Sequence, residues 1–178
     1  MANPVRVRRA RRIGHNIMGV EICRGQQQEA IRQLISDSVQ KHFTGFMTEQ
    51  QRLQQINDMS AADNLESFRR QGVLLLGKKG SQLCAVAGVK IVDGEAWLGC
   101  CYCKTSGQGW GSRMMRARLE WLKSYRRCNQ VLTEAFQGNT MAHQHLARHG
   151  FSKQDTLRVS PLPAPELTLQ QWHKKLYY

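Results

Sequence analysis

The segment that most restricts what this chain can fold into is Gly107-Gln108-Gly109-Trp110-Gly111-Ser112, a loop with glycine at three alternate positions. It follows an apolar run from Glu95 to Cys103 and leads into a stretch, Ser112 to Arg127, patterned as a helix. Without Cβ atoms the backbone can curl tightly and turn several N–H groups toward one concave point at a helix N-terminus. Those amides and the helix dipole together attract phosphate. The spacing is G-x-G-x-G, not the G-x-G-x-x-G of dinucleotide-binding turns, and the lysine of a nucleotide-triphosphate loop is missing. A strand, a phosphate cradle and a helix are therefore expected in succession.

The rest of the chain supplies an order of elements around that loop. Ile17 to Cys23 alternates weakly and stops at Arg24-Gly25, which suits a first strand. Between Gln26 and Gln40, the residues Ile31, Leu34, Ile35 and Val39 recur with the period of an amphipathic helix. Thr48 to Asp58 carries Leu53 and Ile56 on one face, and Ser60 or Asp63 can cap a further helical piece through Leu65 and Phe68. Val73 to Lys78, Gln82 to Val92 and Glu95 to Cys103 are joined by turns at Lys79-Gly80 and Asp93-Gly94, the pattern of an antiparallel meander. In the helix after the glycine loop, Met115, Leu119, Trp121, Leu122 and Tyr125 are expected inward, with Arg113, Arg116, Glu120 and Lys123 outward. Gln130 to Phe136 reads as a buried strand and Asn139 to His149 as a helix stopped by Gly150. A last strand, Leu167 to Leu176, follows a Pro161-Leu162-Pro163-Ala164-Pro165 linker. The order βααβββαβαβ is an α+β arrangement.

A length of 178 residues fits one domain, residues 14–178, able to bury a core without disulfides or a structural metal. The net charge of +13 favours anionic partners: nucleic acid, acidic surfaces or phosphorylated small molecules. Five arginines, Arg6, Arg8, Arg9, Arg11 and Arg12, make residues 1–13 a basic arm, expected to be flexible and able to reach nucleic acid. No apolar run approaches the ~18 residues of a membrane span, so a soluble, cytoplasmic protein without membrane contact is expected. Among the six cysteines, Cys23, Cys84, Cys100, Cys101, Cys103 and Cys128, the Cys-Cys-x-Cys run lies on one expected strand and does not offer the usual C-x₂-C knuckle. Neighbours in Cys100-Cys101-x-Cys103 would face opposite sides of a strand, so reduced thiols packed as small hydrophobes are expected and no metal. His145 and His149 are neighbours on one helix face and His143 is close by, but no third ligand accompanies the pair.

The glycine loop resembles the cofactor motif of the GNAT acyltransferases, Arg or Gln followed by G-x-G-x-G/A between the fourth strand and third helix. Asn139-Thr140-Met141-Ala142, with Gly150-Phe151 beginning eight residues after Ala142, is similar to the family's second signature, N-x-x-A followed by G-F. The resemblance covers Leu83 to Phe151, and more loosely the two helices before it and a final strand ending Trp172-His173-Lys174-Lys175-Leu176. It implies a GNAT-like fold, a mixed and mostly antiparallel sheet flanked by helices, and an acetyltransferase with acetyl-CoA as acyl donor. The pyrophosphate would meet Gly107, Gln108, Gly109, Trp110, Gly111 and Ser112. The pantetheine would pair with backbone from Cys101 to Cys103, and Asn139 would hold it or an ordered water. A primary amine would attack the thioester, with a base taking its proton and an acid protonating the CoA thiolate.

Two positions depart from the family pattern. Ser106 stands where Arg or Gln is usual, which leaves the amide cradle intact. Leu146 stands at the position of the usual thiolate-protonating tyrosine and cannot donate a proton. His145, Tyr102, Cys103 or a water are the candidate acids. Glu134 and Glu95 are the candidate bases, although each reads more readily as a surface or salt-bridged carboxylate.

The acceptor expected from the charge is an amine on an anionic or nucleic-acid-associated molecule, aminoacyl-tRNA or a protein; a polyamine would be repelled. GQGWG is also common among tRNA-acetylating toxins of the family. The alternative is a nucleic-acid-binding or nucleic-acid-modifying protein on the same scaffold. Loss of catalysis should release the loop, whereas all three glycines stand. The resemblance leaves a homodimer open.

Overall fold

The computed structural model of the protein describes residues 17–125 and 128–177; the arginine arm lies outside them. The order of elements is β1 (Val20–Ile22), α1 (Gln28–His42), α2 (Glu49–Ser60), α3 (Ala62–Gln71), β2 (Gly72–Lys79), β3 (Gln82–Val92), β4 (Glu95–Cys103), α4 (Trp110–Tyr125), β5 (Gln130–Phe136), α5 (Thr140–Arg148), β6 (Ser152–Val159) and β7 (Thr168–Lys175). The strands form one open sheet in the order β1-β2-β3-β4-β5-β7-β6. Every neighbouring pair is antiparallel except β4 and β5. One core layer joins α1, α2 and α3 to one face of the sheet, and a second joins α4 and α5 to the other.

The α1 helix buries Ile31, Leu34, Ile35 and Val39, as its period requires. Each such side chain removed from water stabilises the fold by roughly 1.5–3 kcal/mol. Phe68 of α3 seats on the paired glycines Gly88 and Gly99, where added Cβ atoms would lie 2.3 and 2.9 Å from its ring. A large ring can therefore sit directly on the β3–β4 backbone.

Three features differ from the sequence expectation. The helical piece after α2 is a full helix, α3, and an additional strand, β6, precedes β7. Strand β6 is an exposed edge with no face on the core, so its residues carry no alternation to read. Leu53 of α2, expected inward, is 50% exposed. Its place is taken by Gln51 and Gln55, because the surface opposite α2 is polar. The Gln51 amide donates to the carbonyls of Pro163 (2.8 Å) and Pro165 (2.6 Å) and accepts from the Thr48 N–H (2.9 Å). The proline segment is thus pinned onto α2 with Leu162 buried, so it forms part of a wall where a linker was expected.

Of the cysteines, Cys23, Cys84, Cys100 and Cys128 are buried and Cys103 is half-buried, but Cys101 is exposed, contrary to the expectation that all pack as small hydrophobes. The reason lies in the divergence of β4 from β5, which leaves Cys101 uncovered. Among the described residues no group of histidines, cysteines and carboxylates is placed to hold a metal ion. No described helix is long and apolar enough to cross a membrane.

Candidate active site

Strands β4 and β5 pair only at Ala96–Val131 and Trp97–Leu132. The Thr133 hydroxyl then donates to the Leu98 carbonyl at 3.2 Å, and past that point the strands separate. A β-bulge in β4 drives the separation: the β3–β4 register shifts between Val86 and Gly88, and Cys100 takes a positive φ of 52°. The Lys104 N–H is held by the Cys84 carbonyl at 2.9 Å, keeping the end of β4 on β3. The result is a cleft of about 760 Å³ that runs from the glycine loop to the splay and out toward α1 and α2. Its walls include backbone of Gly99 to Cys103, whose edge toward β5 is left without a strand partner.

At one end, Gly107 (φ 79°) and Gly109 (φ 74°) adopt the left-handed conformation that a Cβ disfavours, and α4 begins with the Arg113 N–H donating to the Gly109 carbonyl at 3.1 Å. Gly107, Gly109, Trp110, Gly111 and Ser112 line the cleft, while Gln108 is exposed and does not. The Trp110 indole is buried beside Gly77 of β2, so Trp110 offers the loop its backbone rather than its ring. The Arg113 guanidinium lies 4.8 Å from the centre of that ring. Helix α5 stands beside the loop: His149 Nε2 is 3.1 Å from Ser112 Oγ, and a Cβ on Gly111 would come within 3.3 Å of the His145 ring.

The remaining expected residues are distributed unequally. Asn139 caps α5, its Oδ1 accepting from the Ala142 N–H at 3.1 Å, and it lines the cleft. His145 also lines it, 4.6 Å ring to ring from His149. Burial, then His149, Arg118 and Arg148, lower its pKa to about 4, so near neutral pH it is a neutral imidazole, better suited to hydrogen bonding than to giving up a proton. His143 turns away, its Nε2 3.0 Å from the Phe136 carbonyl. Tyr102 is buried among α1 and α2 and its hydroxyl accepts from Gln55 Nε2 at 2.8 Å; burial raises its pKa and makes it a poor acid. Burial likewise pushes the Cys103 thiol up to about 12. Glu134 lines the cleft but is held in a two-pronged pair by Arg158, at 3.1 and 2.6 Å. Glu95 is exposed at the start of β4 and lies outside the cleft. Leu146, on the buried face of α5, also lines the cleft.

Two further ionisable residues that line this cleft belong to no motif. His42, at the end of α1, lines the side facing α2, with its pKa lowered by burial and by Lys41. Arg118 of α4 also lines the cleft and is only 2% exposed. Its position in the helical period, one turn after Met114 and four residues before Leu122, already marks it as inward-facing, and that was the available signal.

No protein-family model and no curated protein sequence matches the chain. Solved structures do match in shape. The PaiA N-acetyltransferase of Thermoplasma acidophilum, solved with coenzyme A, superposes with a TM-score of 0.71 at 16% identity, covering 89% of this chain and 100% of that one. A GCN5-related N-acetyltransferase of Rhodopseudomonas palustris gives 0.73 at 14% identity, covering 88% and 94%. A GNAT-family acetyltransferase of Streptococcus pneumoniae gives 0.63 at 13% identity, covering 88% and 98%. With its seven-stranded mixed sheet, its splayed central strands and its glycine loop at the head of α4, this chain has the GNAT acetyltransferase fold.

Proposed function

We propose that the protein is an N-acetyltransferase that moves an acetyl group from acetyl-CoA to a primary amine. The observation that carries this reading is the continuity of one cleft, from a left-handed glycine loop at a helix N-terminus to the unpaired edge of β4 where it parts from β5. A long ligand with a diphosphate at one end and an extended amide arm is what such a cleft accepts: amides and a helix dipole for the phosphates, strand backbone for the arm. The residues present fit that donor. Gly107 to Ser112 would cradle the pyrophosphate, Cys101 to Cys103 would pair with the arm, and the free amide nitrogen of Asn139 would face it. Arg148 lines the cleft, Arg113 stands beside the loop over Trp110, and His149 meets Ser112, so this end is receptive to phosphate.

The acyl-CoA supplies an activated thioester. The protein's part is to hold it with the carbonyl open toward α1 and α2, and to take a proton from the attacking amine. His42 is suited to that task because its lowered pKa keeps it neutral near pH 7. Glu134, tied to Arg158, serves better as a support for the wall than as a base. An anionic or nucleic-acid-associated acceptor, aminoacyl-tRNA or a protein, is supported by the net charge of +13 and by the arginine arm.

The test is thermal unfolding with and without acetyl-CoA. A dose-dependent rise in Tm, lost in Gly109→Glu, is expected, since the substitution puts a side chain at a positive φ and a carboxylate where phosphate should sit. No rise at millimolar acetyl-CoA would sink the proposal.

A further inference from the structure

Arg118 poses a problem that the fold alone does not solve. It is 2% exposed, and among the described residues no carboxylate lies within ion-pair distance of it. Its Nη2 reaches two sulfurs, Cys101 Sγ at 3.6 Å and Met115 Sδ at 3.8 Å, and its buried Nε has no partner. Sulfur is a weak acceptor, and a guanidinium withdrawn from water without a counter-charge is costly. Beside it on the same wall, the buried His145 Nε2 is also without a partner. Two unpartnered polar nitrogens therefore belong to residues that line one cleft and lie close enough to act on each other electrostatically.

That part is the inner end. From the glycine loop the unpaired edge of β4 leads inward to the closure at Leu98 and Thr133, and Cys101, which Arg118 touches, lies near that closure. An arm laid from the loop along β4 would bring its sulfur there. Leu146, on α5, offers no proton to that sulfur.

We propose that Arg118 is the leaving-group residue of the cleft, its guanidinium holding the negative charge that collects on the CoA sulfur as the thioester breaks. The inference rests on the acyl-CoA reading above. The amine nitrogen forms its bond to the acyl carbon, the carbon–sulfur bond breaks, and the electron pair passes to sulfur. The amine proton goes to the base, and the thiolate departs as an ion pair with Arg118, because a guanidinium keeps its own proton. No general acid is required, which accounts for a leucine at position 146. Around the guanidinium stand Cys100, Cys101 and Cys103 on β4 and His145 and His149 on α5, and Lys90, Arg116, Arg148 and Lys174 are further cations acting on these groups; of these cations, Arg118 is the one that touches Cys101.

The experiment uses CoA itself and needs no acceptor. The thiolate absorbance of bound CoA is titrated through the alkaline range in which its thiol ionises, with the acetyl-CoA complex subtracted so that the protein's own cysteines cancel. Wild-type protein is expected to lower the bound thiol's pKa by about one unit relative to Arg118→Met, and so to bind CoA roughly tenfold tighter than the variant above that pKa. Arg118→Lys is expected to recover most of the shift. Acetyl-CoA, which carries no charge at sulfur, should bind both proteins alike, and succinyl-CoA should bind no tighter than acetyl-CoA. Equal thiol pKa values in wild type and Arg118→Met would overturn the proposal while leaving the acyl-CoA reading intact. So would a preference for succinyl-CoA that disappears in the variant, since the anion would then be an acyl carboxylate. Failure of wild type to bind either CoA or acetyl-CoA would remove both readings.

Discussion

Replacing Arg118 with methionine is expected to raise the stability of the ligand-free protein. Burial of an ion in a protein interior costs several kcal/mol even after relaxation, and apolar replacement of buried ion pairs is often neutral or stabilising by about 1–4 kcal/mol. Among the described residues no carboxylate is paired with Arg118 whose attraction would be lost. What disappears is a pair of N–H···S contacts at 3.6 and 3.8 Å, long and to weak acceptors; together they are worth no more than about 1 kcal/mol. Methionine keeps most of the length of the side chain and suits the sulfur-lined surroundings. A net gain of roughly 1–3 kcal/mol corresponds to a Tm higher by about 3–10 °C for a chain of this size. The assay is thermal unfolding of both proteins without ligand, followed by the same scan with CoA above its thiol pKa, where the advantage should narrow or reverse. A Tm several degrees below wild type in the absence of ligand would refute the reasoning, because it would mean that the guanidinium is satisfied within the fold and not held in reserve for a ligand.

Two further outcomes follow from the same geometry. Gln51→Leu removes three hydrogen bonds between α2, its cap and the proline segment; a loss of about 2–3 kcal/mol is expected, a Tm lower by roughly 5–10 °C. A change of under a degree or two would show that the segment is held by Leu162 packing instead. The pKa of His145 is lowered from 6.5 to about 4 in the folded protein. The unfolded chain therefore binds more protons between those values, and stability present above pH 6.5 is lost as pH falls toward 4, by roughly 1–2 kcal/mol from this group after solvent screening of the half-buried ring. His145→Gln should flatten the wild-type slope of stability against pH in that window; identical slopes in urea titrations would contradict the assignment.

Much of the architecture was legible along the chain because the signals are local. The period of Ile31, Leu34, Ile35 and Val39 marks α1, turn dipeptides mark the β2–β4 meander, and alternating glycines before an amphipathic run mark the loop at the head of α4. These depend on residues close in sequence, and their physics, backbone sterics and one-sided burial, acts over a few residues. Where an element's surroundings were not apolar, the pattern misled: α2 turns Gln51 inward because a bent proline segment presents carbonyls to it and Gln55 inward onto the Tyr102 hydroxyl, and β6 has no buried face to betray it. The chemistry of the cleft was less legible still. Asn139 and the loop could be placed by spacing, but the isolation of Arg118, the exposure of Cys101, the pairing of Glu134 with Arg158 and the position of His42 depend on contacts between segments far apart in sequence. Whether a charge is paired, and whether a strand edge is covered, is a property of what packs opposite, and only the tertiary structure decides that.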